Sequence, residues 1–239
     1  MVMEQAFCIS DIHGCYEEFL ALLEHWQRER ELLVLVGDYI DRGPQSKEVV
    51  AYIQQLQRTY GEQVVVLQGN HDAMLLEFIA EPVGSLANRF LRNGGEQTLA
   101  SFIGEPLQMM TAVEQAQYMM THFADTLDYL AHLPMMYEWG AVLFTHAGFD
   151  VTKPLAEQTS HDLLWQRQHY IQENTTGRRN VFGHTPTFRI RQQHVHDIWL
   201  SEDGQYIGID GGCVFDGQLN ALRICKNGRI AGIEKEFKR

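Results

Sequence analysis

Short apolar runs alternate with longer stretches whose apolar positions recur at helical spacing. "AFCIS" reads as a strand, and Tyr16 to Arg30 as a helix. "LLVLV" is a second strand, followed by a helix from Ser46 to Arg58 with Ser46 as its expected N-cap. "QVVVLQ" is a third strand, with a short helix beginning near Asp72. This β-α-β-α-β order predicts an α/β sheet near the N-terminus.

From Glu81 to Met110 the pattern loosens into expected loop and short helix, and Thr111 to His132 is helical again. "AVLFT" and "NVF" are strands, with a helical piece from His161 to Gln172 between them. The tail reads as two hairpins turning at Asp203-Gly204 and Asn227-Gly228, both strong turn dipeptides. The tail is therefore expected to build a second, more antiparallel sheet. The expected fold class is α/β with α+β character: a two-sheet sandwich flanked by helices, one domain over 1–239. Residues 81–120 are an expected lid or substrate segment, with a face lined by Met109, Met110, Met119 and Met120.

The totals change this picture little. Hydrophobic content of 45% and charged content of 21% fit a globular protein. No apolar run of about 18 residues exists, so no membrane span is expected. No secretory signal is expected, no C-x-x-C spacing occurs, and the four cysteines read as reduced, mostly buried thiols of a cytoplasmic protein. A formal charge of −12, from 31 acidic against 19 basic residues, argues against a nucleic-acid partner. A monomer is the default.

Chemistry gathers where the apolar runs end. "AFCIS" leads into Asp11, His13 and Gly14; "LLVLV" into Gly37 and Asp38, with Asp41 and Arg42 behind. "VVVLQ" leads into Gly69, Asn70, His71 and Asp72; "AVLFT" into His146; "NVF" into Gly183 and His184. Ligands of α/β sheets bind at the carboxyl edge of the strands, and glycine admits close backbone approach. Asp11, His13, Asp38, Asn70, His146 and His184 offer oxygen and imidazole donors without a thiol, a set suited to Mn, Fe or Zn. In extended backbone, Asp11 and His13 would point to the same side. Six ligands suit two ions sharing a carboxylate, the arrangement roughly 3.5–4 Å apart that activates water against phosphorus.

"SDIHG", "GDYIDRG", "GNHD", "HAG" and "GH", in this order, resemble the signature of metal-dependent phosphoprotein phosphatases in the calcineurin-like metallophosphoesterase superfamily. Ser10, Asp72 and Ala147 stand where that pattern has glycine, glutamate and glycine. The "HAG" and "GHTP" forms are more similar to bacterial and phage members. The resemblance implies a first divalent ion, manganese by expectation, on Asp11, His13 and Asp38. Asp38 would bridge to a second ion held also by Asn70, His146 and His184. It further implies in-line attack by a bridging hydroxide, and His71, oriented by Asp41, as the acid that protonates the departing oxygen. Arg42 and Arg167, the latter in "LLWQRQ", would clamp the phosphate.

The expected substrate is a phosphomonoester, phosphoserine or phosphothreonine in a protein. A phosphorylated small molecule such as diadenosine tetraphosphate is the alternative, for which Arg89, Arg92, Arg178 and Arg179 are candidates for a second subsite. A non-catalytic metal-binding scaffold is disfavoured, because every expected ligand and the acid are present.

Overall fold

In the computed structural model, which describes residues 3–238, the first half of the chain winds helices against a sheet. The elements are β1 (Gln5–Ile9), α1 (Tyr16–Leu23), β2 (Glu31–Leu35), α2 (Ser46–Tyr60), β3 (Val64–Val66) and α3 (Asn70–Ala80). A helical stretch follows: α4 (Ser85–Phe90), α5 (Glu96–Ile103), α6 (Ala112–His122) and α7 (Ala124–Ala131). The second half runs β4 (Met136–Trp139), β5 (Val142–Thr145), α8 (Ser160–Trp165), β6 (Arg179–Phe182), α9 (Thr187–Arg191), β7 (Trp199–Leu200) and β8 (Tyr206–Gly208). It closes with β9 (Gln218–Cys225) and β10 (Ile230–Phe237). Among the described residues no helix is long and apolar enough to cross a membrane.

Two five-stranded mixed sheets result, ordered β10-β9-β1-β2-β3 and β4-β5-β6-β8-β7. In β1 and β2 both faces are covered, which is why these runs are apolar throughout rather than alternating. Ala6, Cys8, Leu32 and Val34 pack between the sheets against Val142, Phe144, Val181 and Ile207. Phe7, Ile9, Leu33 and Leu35 face the helices, among Phe19, Val49, Ile53 and Phe78. A smaller cluster with Leu143, Phe149, Leu163, Phe182 and Tyr206 covers the far face of the second sheet. The layers are thus helices, sheet, sheet, and a thin outer cover.

Five local expectations are corrected. The 199–208 hairpin does extend the second sheet, but β9 and β10 join the first, where β9 pairs antiparallel with β1 (Cys8 opposite Leu222). Hairpin geometry is local, whereas the edge a hairpin joins is decided by which strand has free hydrogen-bonding groups. Ser46 is not the N-cap of α2 but its first residue, and its hydroxyl accepts the Asp41 N–H at 3.2 Å. The helix from Tyr16 stops at Leu23, because Trp26 turns into the core and donates to the Glu31 carbonyl at 3.0 Å. Segment 81–110 is mostly helical, with Gly94 (φ 103°) making a kink rather than a loop. The methionines of 81–120 do not share one face: Met119 is buried, while Met109 and Met120 are exposed.

Candidate active site

The carboxyl ends of β1, β2, β3, β5 and β6 converge across the two sheets, and the ten residues proposed as metal ligands, acid pair and phosphate clamp lie there. Asp11, His13, Asp38, Asn70, His146 and His184 are all buried, as are Asp41 and His71. Asp11 and His13 do meet, with His13 Nε2 3.9 Å from Asp11 Oδ1. They do so through left-handed backbone (φ 54° and 46°) rather than the extended form expected.

Asp38 lies at the centre. Its Oδ1 accepts the His71 N–H at 2.9 Å and stands 3.3 Å from His146 Nε2. Its Oδ2 is 3.5 Å from His13 Nε2. The two oxygens of one carboxylate therefore address two different imidazoles. Burial pushes the Asp38 pKa up, and the imidazoles of His146, His71 and His13 outweigh it, holding it well below the usual range. Asp11, less well compensated, is pushed up to about 6 by burial and the Asp38 charge, against the pull of His146.

Asp72, where the family pattern has glutamate, ties the strand ends together. Its carboxylate accepts from the backbone N–H groups of Asp38 (3.1 Å), Tyr39 (3.3 Å) and Gly69 (2.8 Å). Ser10 donates its hydroxyl to the Asp11 carboxylate. Gly183 is required by contact: a Cβ there would stand 1.9 Å from Ser10 Oγ and 2.1 Å from Asp11 Oδ2.

The donor geometry fits a cation on both sides of Asp38. His13 Nδ1 is 2.7 Å from the Ile40 carbonyl and His146 Nδ1 2.8 Å from the Val36 carbonyl, so both Nδ1 atoms carry the proton. Each Nε2 then turns a lone pair inward. For His146 that lone pair meets Asp38 Oδ1 at 3.3 Å and Asn70 Oδ1 at 2.9 Å, an arrangement that needs positive charge between acceptors. Burial disfavours a charged His146, yet Asp38 and Asp11 raise its pKa to about 9: without a metal a second proton on Nε2 supplies that charge, and a cation would free the lone pair by taking its place. On His184 the Nε2 atom is buried without any partner. One ligand atom each from Asp38, His146 and His184 lie within 4.8 Å of one another, as do those of His13, Asp38 and His71. Carbonyl-anchored imidazoles around shared carboxylates are what a divalent-metal site requires.

A third such group, Cys15, Glu18 and Cys213, lies outside this centre. There the Lys238 ammonium already supplies positive charge, 3.6 Å from Cys15 Sγ and 3.5 Å from Glu18 Oε1. All four cysteines are free and buried, as expected.

His71 pairs with Asp41. Its Nδ1–H donates to Asp41 Oδ2 at 2.6 Å, leaving Nε2 to face the Arg42 guanidinium at 2.7 Å. Arg42 also donates to His13 Nε2. Thr98 completes the dyad: its hydroxyl donates to Asp41 Oδ1 at 2.6 Å and accepts the Asp41 N–H at 2.8 Å. No motif marked Thr98, because it arrives on α5, 57 residues away. The Arg42 N–H donates to the Gly94 carbonyl at 3.2 Å. Arg167 leaves α8 on an irregular exit and reaches the His184 carbonyl and Thr185 hydroxyl, each at 3.4 Å.

Arg42, Arg167 and His184 line one cavity of about 520 Å³ with Arg92, Arg189 and Phe215. Of the candidates for a second subsite, only Arg92 lies here. Arg89 pairs with Glu77 and lies over the Trp165 ring. Arg178 pairs with Glu138 at 2.9 Å. Arg179 donates to the Gly204 and Gly228 carbonyls, each at 2.6 Å, and so ties down both hairpin turns. Sequence reasoning missed Arg189 and Phe215; a basic residue soon after "GHTP" was the signal available.

The calcineurin-like phosphoesterase model matches residues 6–232. Serine/threonine-protein phosphatase 1 of Salmonella typhimurium is 30% identical to this chain, covering 90% of each. A symmetrical bis(5'-nucleosyl)-tetraphosphatase of Nitrosococcus oceani is 27% identical, covering 92% of this chain and 93% of its own length. Among solved structures, a Saccharomyces cerevisiae serine/threonine phosphatase with similarity to human phosphatase PP5 shares the fold at a TM-score of 0.66. It is 14% identical, over 99% of this chain and 80% of its own. The mixed two-sheet architecture, the metal-ready donor set and these matches agree: the chain belongs to the calcineurin-like phosphoesterases, as a metal-dependent phosphoric ester hydrolase of the phosphoprotein-phosphatase type.

Proposed function

We propose that the chain hydrolyses phosphomonoesters with a basic leaving oxygen, as in phosphoserine or phosphothreonine of a protein. The observation that carries this reading is the His71–Asp41 pair, closed at 2.6 Å and buried beside Arg42. An alkoxide leaves slowly unless it is protonated, and a positioned acid accelerates such a step about 10²–10⁴-fold. A phosphate leaving group, as in a dinucleoside polyphosphate, has far less need of one.

Asp11, His13 and Asp38 would hold one divalent ion, and Asp38, Asn70, His146 and His184 the other, with manganese the first to test and iron or zinc the alternatives. When bound, such ions supply Lewis-acid charge that polarises the phosphoryl group and lowers the pKa of water. Arg42 and Arg167 bind the equatorial phosphate oxygens, fixing the ester in line. Arg42 leaves His71 Nε2 for the phosphate, Nε2 takes up a proton from solvent, and the resulting imidazolium gives that proton to the departing oxygen. Asp41 receives Nδ1–H throughout and holds the ring in register. Of the segment 81–120, the turn through Arg92, Asn93 and Gly94 is the part we assign to substrate, since it forms one wall of the cavity.

A second reading, dinucleoside polyphosphate hydrolysis, draws support from the four arginines around the cavity. Initial rates of manganese-loaded protein on a phosphothreonine peptide and on diadenosine tetraphosphate decide between them. A higher kcat/KM on the peptide supports the monoester reading, and a higher value on the dinucleotide overturns it.

A further inference from the structure

We propose that Arg92 and Arg189, with the Phe215 ring between the guanidiniums of Arg189 and Arg42, form a second anion subsite, so that favoured substrates carry another phosphate-like group beside the scissile one. The inference rests on the phosphoesterase reading of the adjoining centre and adds to it a determinant of specificity.

With 31 acidic residues against 19 basic, guanidiniums are expected to find carboxylates. Arg89, Arg178 and Arg223 do so. Arg42, Arg92, Arg167 and Arg189 line one cavity, and among the described residues none of the four has a carboxylate at ion-pair distance. Guanidiniums gathered without a carboxylate in ion-pair contact repel one another, the carboxylates of Asp11, Asp38 and Asp210 acting on them only from farther off, and an anion entering the cavity relieves that repulsion. Burial, and after it the Arg189 charge, lower the Arg167 pKa against the pull of Asp11, Asp210 and Asp38, so the two guanidiniums feel one another.

Two of the four have assigned work: Arg42 touches His13 and His71, and Arg167 the His184 carbonyl. One phosphoryl group has three equatorial oxygens, which two guanidinium forks and the metal-side groups already saturate. Arg92 and Arg189 exceed that need. Arg189 is held in place from two sides, its Cζ 5.7 Å from the Phe188 ring and 5.5 Å from Phe215. The same Phe215 ring lies 5.2 Å from Arg42 Cζ. Phe215 is 40% exposed, so its ring is displayed in the cavity rather than spent on the core. Stacking on one ring holds a guanidinium of the scissile-phosphate site and one of the outer site at a set spacing. That spacing suits two anions on one substrate: adjacent phosphorylated residues or a flanking carboxylate in a peptide, or the next phosphate of an oligophosphate.

The test compares kcat/KM on three substrates: a phosphothreonine peptide with neutral flanks, the same peptide with a neighbouring second phosphothreonine, and diadenosine tetraphosphate. The manganese-loaded protein is set against Arg92→Gln/Arg189→Gln and Phe215→Leu. The wild type should favour a doubly anionic substrate by about tenfold or more, mainly through KM, and the double variant should bring that ratio near one. Preference for the doubly phosphorylated peptide assigns the second anion to peptide substrates, and preference for the dinucleotide alone assigns it to oligophosphates. A wild-type ratio near one, or a ratio unmoved in the double variant, overturns the subsite. If no phosphomonoester is turned over, p-nitrophenyl phosphate included, the monoester reading fails separately. Calorimetry then judges the subsite: pyrophosphate should bind the metal-loaded protein at least about tenfold tighter than orthophosphate and lose that margin in the double variant.

Discussion

The two sheets supply the centre through loops of different character. Loops leaving the first sheet carry Asp11, His13, Asp38, Asp41 and Arg42 with φ between 46° and 71°, all in left-handed backbone. Loops leaving the second sheet carry His146 in ordinary backbone and His184 at φ 61°. Elsewhere among the described residues only Gln192 and Asp216 share that conformation outside glycine. Strained backbone of this kind persists where surroundings over-determine it, and here they do. Asp72 accepts from three amides of the first-sheet loops, and Thr98 and Ser46 hold the Asp41 turn. The first sheet spends its hydrogen bonds on aiming several charges from few residues; the second presents single imidazoles.

The largest expected effect comes from the carboxylate both halves share. Asp38→Asn should remove both ions from manganese-loaded protein and cut kcat/KM on any phosphomonoester by about 10³-fold or more, since the charge stabilisation at stake is several kcal/mol. Metal analysis of the purified variant checks it. Full metal content with near-normal turnover would show that the two sheets hold their ions independently.

Next in size is His71→Asn. It leaves all six proposed ligands in place, so metal content should stay at the wild-type level. Turnover of a phosphothreonine peptide should fall about 10²–10⁴-fold, and that of p-nitrophenyl phosphate, whose leaving group is far less basic, much less. Equal losses on both esters would remove His71 from the acid role and leave it a structural member of the first-sheet loops.

These residues were legible because their chemistry is local: each follows an apolar run within a few positions, and glycine marks the turn. What surrounds them was not. Thr98 and Gly94 reach Asp41 and Arg42 from a helical segment whose sequence looked like loop and short helix. Arg178 and Arg179 carry the same charge as Arg189, yet one pair binds Glu138 and turn carbonyls while the other residue faces the cavity. Charge along a chain does not say what it will meet. Likewise the Asn227-Gly228 turn was legible, but not that β9 would cover the free edge of β1.

A smaller change tests how the first-sheet loop is buttressed. Gly94 sits at φ 103°, and a Cβ there would stand 2.5 Å from the Arg42 backbone nitrogen and 2.7 Å from its Cγ. Gly94→Ala should displace Arg42, lower kcat/KM about tenfold and destabilise the fold by about 1–3 kcal/mol, with metal content unchanged. Unaltered kinetics in a variant with a lowered Tm would mean that Arg42 is positioned by its own loop and the sheet behind it, without help from the 91–97 turn.

The smallest expected effect belongs to the second sheet alone. His169 is fully buried against Phe149, Phe182 and Tyr206, with ring centroids at 5.8, 4.6 and 5.2 Å. Its Nε2 is 3.1 Å from Asn180 Oδ1, and Nδ1 has no partner. Burial lowers its pKa to about 3, against the modest help of Asn180. The unfolded chain binds a proton at this residue near pH 6.5, and the folded chain does not until about pH 3. Stability is therefore at its full value above pH 6.5 and falls by about 1.4 kcal/mol per pH unit below it, until the folded form also protonates. His169→Gln, which keeps a donor for Asn180, removes that slope even though it costs packing at pH 7. Urea unfolding of both proteins at pH 7 and 5.5 should show the wild type losing about 1 kcal/mol more than the variant. Parallel losses would shift the acid sensitivity from the second sheet to the carboxylates and imidazoles of the first, where the strain already lies.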